Sequence, residues 1–262
     1  MKNNKYKILV LSGLENEFES ILKSAIGFAK MIDANIEFFY VKKPTDIVQR
    51  ESQLSAMRSI NDEYITTNNR LKALVETISK SNDVNMSYSY AIGNVKSEIE
   101  NRLKHTKPDM VIMGKRKPKT LNFTGDRITD FILKNYEGSV VVTSTINRVE
   151  PNKEISLGFF NSNTDYTNLK FVNQLLGHSK KPITSFKTHL SSSNKSENST
   201  QTVEYTFDDN DKFMDNLNMY LKRSDVNLLC LDKDETIKTK SNITDLLDKI
   251  EVSLLVTSEQ TI

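Results

Sequence analysis

The stretch from Pro108 to Ser144 constrains the fold more than any other. It opens Pro-Asp-Met-Val-Ile-Met-Gly, with Asp109 at the strand entrance, and passes through a basic loop (Lys115, Arg116, Lys117, Pro118, Lys119) to Thr124-Gly125-Asp126. Apolar residues then recur at Ile128, Phe131 and Ile132, and the stretch closes on Ser139-Val-Val-Val-Thr-Ser144. A continuous apolar run ended by glycine belongs to a strand buried on both faces. Helical spacing between two such runs makes the unit a parallel β-loop-α-β crossover. In open α/β sheets ligands sit outside the carboxyl ends of the strands, so the loop after Met113 is where a site is expected.

The segments before it follow the same rule. Lys7 to Leu11, closed by Ser12-Gly13, reads as a first central strand, and Phe18, Ile21, Leu22, Ala25, Ile26, Ala29 and Ile32 give a helix. Asn35 to Val41 is a second strand, reached by a right-handed crossover. The spacing predicts a long helix over Thr45 to Ser81, a strand over Val84 to Ile92 ended by Gly93, and a helix through Val95, Ile99 and Leu103.

A linker is expected at Asn147–Asn152, which contains Pro151, and beyond it the pattern repeats. Glu154 to Phe160 stands for the first strand, Tyr166 to Leu176 for the first helix and Pro182 to Leu190 for the second strand. The polar tract Ser191–Thr200 occupies the place of the long helix and reads as a mobile loop. Thr202 to Phe207, Phe213 to Leu221, Asp225 to Asp232 and Val252 to Ser258 complete the copy. An α/β domain has therefore been duplicated, with expected bounds 1–147 and 153–262.

Composition excludes several classes. A net charge of +2 over 262 residues gives no bulk attraction to nucleic acid, and no apolar run approaches the ~18 residues of a membrane span. The single cysteine, Cys230, rules out an internal disulfide framework and sits in an apolar run, as a small buried hydrophobe would. His105, His178 and His189 show no ligand spacing, so no metal is expected, and nothing resembles a nucleophile elbow or a triad, so no catalytic residue is assigned. With no signal-peptide core, a cytoplasmic protein is the expectation.

Lys7-Ile-Leu-Val10, Phe39-Tyr-Val41, Gly93, Pro108–Gly114 and the paired Val-Thr-Ser endings resemble, in this order, the universal stress protein family; the whole chain resembles its tandem form. The resemblance implies an α/β fold of two Rossmann-like domains of the adenine nucleotide alpha hydrolase type, each a mostly parallel five-stranded sheet flanked by helices. ATP-binding members carry Gly-x2-Gly-x9-Gly-Ser/Thr after the fourth strand, where glycine amides and a helix N-terminus hold the phosphates, and an Asp at the end of the first strand. Here Gly114 matches the first glycine, Lys117 stands at the second, and Arg127-Ile128 stand where Gly-Ser/Thr is wanted. Gly125 recovers that glycine only if the loop has lost two residues, and Asp126 then repels a phosphate; Ser12-Gly13-Leu14 lacks the Asp. In the second half Asp232 replaces the first glycine and residues 233–240 contain none, so no ATP binding of the family's kind is expected there.

The nucleotide-contact candidates implied by the resemblance are Ser12, Gly13, Val41, Gly93, Gly114, Lys117 and Gly125, with ATP or another adenine nucleotide as ligand. Lys115, Arg116, Lys117 and Lys119 either replace glycine amides with cations or form a solvated basic loop. The function expected is that of a non-catalytic stress-response protein binding a small ligand or a protein partner. The alternative is a nucleotide-binding protein with slow hydrolysis, its phosphate loop rebuilt from Gly114, Lys117 and Gly125. The last strands, Val140–Thr143 and Leu254–Thr257, are expected to join the halves as a pseudo-dimer, and a homodimer stays open.

Overall fold

The computed structural model describes residues 5–14, 18–48, 52–115, 128–161, 168–188, 202–208, 212–233 and 243–258. The first half runs β1 (Tyr6–Leu11), α1 (Phe18–Ile32), β2 (Ala34–Lys42), α2 (Gln53–Asn82), β3 (Met86–Ile92), α3 (Val95–Thr106), β4 (Met110–Gly114), α4 (Ile128–Asn135) and β5 (Ser139–Thr143). The second runs β6 (Leu157–Phe160), α5 (Val172–Leu176), β7 (Ile183–Thr188), β8 (Thr202–Phe207), α6 (Phe213–Arg223), β9 (Leu228–Asp232), α7 (Ile243–Lys249) and β10 (Ser253–Thr257). All ten strands form one sheet in the order β3-β2-β1-β4-β5-β10-β9-β6-β7-β8. Within each half every pairing is parallel.

Between the halves β5 and β10 pair antiparallel, with Val142 opposite Leu254, Val141 opposite Leu255 and Val140 opposite Val256. Strand alternation then sorts the apolar residues to two faces. Ile8, Val10, Ile112, Val141, Leu255, Cys230 and Phe159 join the core under α1, α2 and α5. Leu9, Val111, Val140, Val142, Leu254, Val256 and Leu229 join the other, under α3, α4, α6 and α7. Both cores cross the seam without a break. Side chains tie its ends: Ser139 Oγ lies 2.7 Å from Thr257 Oγ1, and Ser144 Oγ donates to Glu251 O at 2.7 Å.

Several elements differ in extent from the sequence expectation, and β6 and β9 each begin three residues later than expected, at Leu157 and Leu228. The long helix begins at Gln53, because Pro44–Asp46 forms a separate 3-10 turn and the Ser52 hydroxyl caps α2 by accepting from Ser55 N. The third strand begins at Met86, since Asp83 in the left-handed region ends α2 and Val84 N closes the turn on Ser79 O. The helix expected over Tyr166–Leu176 is only Val172–Leu176 among the described residues, starting after Phe171 at φ 69°. The expected linker is packed in: Val149 is fully buried and lies against Gly27 of α1, where a Cβ would come within 3.2 Å of it. The Ser191–Thr200 tract lies outside the described residues.

Leu255 sits at the centre of the seam, fully buried. Leu255→Ala is expected to cost about 2–5 kcal/mol in equilibrium denaturation, whereas Val203→Ala on the exposed edge strand β8 should stay within about 0.5 kcal/mol.

Candidate functional site

The carboxyl edge of the first half collects most of the sequence candidates. Val41, Ser12-Gly13 and Gly114 end adjacent strands in the order β2-β1-β4, and Gly93 joins them by donating its N–H to Lys42 O at 3.0 Å. Lys117 and Gly125 lie outside the described residues, as do Arg116, Lys119 and Asp126. Ser12 Oγ donates to Gly13 O at 2.9 Å, and nothing stands within 4 Å of a Cβ built on Gly13. The floor of the edge is therefore open at β1.

At β3 it is filled. A Cβ on Gly93 would come 2.6 Å from Glu98 Oε1, so glycine here makes room for a carboxylate. Asn94 caps α3 by accepting from Ser97 N at 3.2 Å, and Glu98 stands in the first turn, where the helix dipole favours an anion. A phosphate approaching Gly93 would meet that negative charge. At β4, Lys115 is half-buried and its ammonium donates to Ile250 O, beyond the end of α7. Burial lowers the pKa of this ammonium, opposed by Asp248 and Glu251. The first cation of the basic loop is thus already engaged.

One wall is α2. Tyr64 stacks on Tyr90 and Tyr90 on Tyr40, both at 5.4 Å between centroids. From Tyr64 back to Gln53 the helix rises about 16 Å, while β3 continues from Tyr90 to Ile92 for only about 7 Å. The first turns of α2 therefore overhang the edge by roughly 10 Å. Leu54, at 73% exposure, and Met57, at 64%, lie on that overhang. Lys42 Nζ donates to Glu63 Oε1 at 2.7 Å and Thr67 Oγ1 donates to the same oxygen. The Lys42 bond, and then that of Thr67, hold the Glu63 carboxyl below its ordinary range.

The second half offers a different edge. Asp232, in the place of Gly114, is buried, and Lys233 donates to Tyr136 O at 2.9 Å. A recess of about 280 Å³ opens beside β8 and α6, lined by Tyr205, Asp208, Asn216, Met219 and Tyr220, far along the sheet from the first-half edge. Among the described residues no three His, Cys, Asp or Glu side chains come together as a metal site. His105 and His178 are exposed in separate places, and His189 lies outside the described residues. Cys230 is buried, and burial pushes its thiol up to about 12. No helix among the described residues is long and apolar enough to cross a membrane.

Comparison with solved structures places this architecture. A universal stress protein from Archaeoglobus fulgidus DSM 4304 superposes with a TM-score of 0.66 at 8% identity, over 97% of this chain and 98% of that one. A putative universal stress protein from Pseudomonas aeruginosa UCBPP-PA14 gives 0.55 at 13% identity, over 97% and 93%. The chain has the universal stress protein fold. No protein-family model and no curated protein sequence matches it.

Sequence reasoning missed Glu98 and the tyrosine stack. The only signal for the first was an acidic residue four positions after Asn94; for the second, Tyr40 and Tyr90 fall at equivalent depths in adjacent strands. Burial pushes the Tyr90 phenol up to about 12 from 10.0. The fold thus favours the neutral phenol: its contribution is whole below about pH 10 and is lost as the pH rises toward 12. Tyr90→Phe should change stability little at pH 8 and should flatten the alkaline limb above pH 10, read by denaturation at each pH.

Proposed function

We propose that this chain is a non-catalytic, cytoplasmic stress-response protein whose first-half carboxyl edge takes an uncharged or apolar ligand, or an apolar segment of a partner, and not a nucleotide phosphate. The observation that carries this reading is the Glu98 carboxylate packed against Gly93. It occupies the approach that a phosphate chain would need and repels it. The commitment of Lys115 to Ile250 supports the same reading, as do the open floor at Gly13 and the apolar overhang at Leu54 and Met57. The two halves act as a self-contained pseudo-dimer joined through their last strands, which covers two apolar edges.

Binding of ATP or another adenine nucleotide is the second reading, with Gly114, Lys117 and Gly125 as its phosphate residues and slow hydrolysis as its activity. Glycine at the end of the central strand β4 is the observation that favours it. The two are separated by thermal shift and calorimetry with ATP, ADP and AMP. A nucleotide that binds only the folded chain should add about 2.7 kcal/mol at a hundred times its dissociation constant. We expect no shift at millimolar nucleotide for the wild type and a gain of measurable binding in Glu98→Ala. A wild-type shift that disappears in Lys117→Glu would instead establish the nucleotide reading.

A further inference from the structure

Lys115 and Lys233 occupy equivalent positions. Lys115 directly follows β4 and Lys233 directly follows β9, the fourth strand of each half. Each reaches out of its own half. Lys115 Nζ donates to the carbonyl of Ile250, the residue after α7, and Lys233 Nζ donates to the carbonyl of Tyr136, the residue after α4. The acceptors are equivalent too, each three residues before the start of a last strand, Ser253 or Ser139. Two contacts of the same kind are thus exchanged across the seam.

The antiparallel seam makes the exchange possible. It points the strands of the two halves in opposite directions, so the carboxyl end of one half's fourth strand lies beside the entry to the other half's last strand. The last carbonyls of a helix lack partners within the helix and carry partial negative charge, which a lysine ammonium satisfies in both respects. Both lysines are half-buried, where such a bond is little screened. Nothing in this depends on the ligand of the first-half edge.

We infer that Lys115 and Lys233 form a reciprocal clamp, two positioning residues that each hold the last helix of the opposite half and so couple the carboxyl edge of one half to the helix ends of the other. Each lysine stands at the carboxyl edge, where an α/β sheet places its ligand, so a change at either edge is transmitted across the seam.

Hydrogen exchange of the full chain, resolved by segment, tests this. Lys115→Met should speed exchange at residues 247–250 on the order of tenfold, as loss of a charged hydrogen bond of roughly 1.5 kcal/mol implies, and leave residues 133–136 unchanged. Lys233→Met should do the reverse. Lys115→Arg, which keeps the cation, should exchange like the wild type and guards against a methionine variant that folds poorly. Acceleration confined to the mutated half, or no acceleration at either helix end, would overturn the inference.

Discussion

The antiparallel pairing of β5 with β10 is the contact on which the rest of this architecture depends. Each half alone is a parallel sheet whose fifth strand is valine- or leucine-rich and, without a partner, would present an unpaired apolar edge. Joining the two edges does more than hide them. Val141 and Leu255 extend one core across the seam, while Val140, Val142, Leu254 and Val256 extend the other. The edge positions left at the two ends of the sheet are β3 and β8. They carry mixed or polar faces: tyrosines and serines alternate in β3, and Thr202, Glu204 and Thr206 are exposed along β8.

The same pairing decides where sites fall. Because strand direction reverses at the seam, the two carboxyl edges lie on opposite sides of one sheet and cannot merge into a single cleft. Each instead faces the helix-to-strand entry of the other half. The residue after the fourth strand is therefore subject to two demands: it stands at the carboxyl edge of its own half and it lies beside the helix-end carbonyls of the other. A glycine there serves the first demand only. A lysine serves the second, and both halves have one.

Much of this was legible in the sequence because burial on both faces leaves an unambiguous trace. Met110–Gly114 and Ser139–Thr143 read as central strands from their unbroken apolar runs, and both are paired on each side in the sheet. Helix starts were less legible, since Pro44 and Ser52 divide a stretch whose apolar spacing runs through both. Within the site, Gly93 reads equally as a strand-ending glycine or as a place of close approach for a ligand, and the structure fills that space with Glu98, a residue whose own type says nothing of where its carboxylate rests. The clamp was hidden for another reason. Its acceptors are backbone carbonyls, which any residue supplies, so only the recurrence of lysine after both fourth strands marked it.

These contacts also explain why a glycine-poor loop need not be read as a decayed one. Phosphate held by backbone amides requires close approach, and a side chain at the second glycine position prevents it. Phosphate held by cations requires them to be free. Lys115 cannot cap Ile250 and face a phosphate at the same time, and Glu98 opposes the anion from the neighbouring strand end. In the proposed reading, a phosphate at this edge therefore competes with Ile250 for Lys115 and faces the Glu98 carboxylate. The apolar ligand proposed for this edge meets neither obstacle, and Leu54 and Met57 are exposed apolar surface that it can cover.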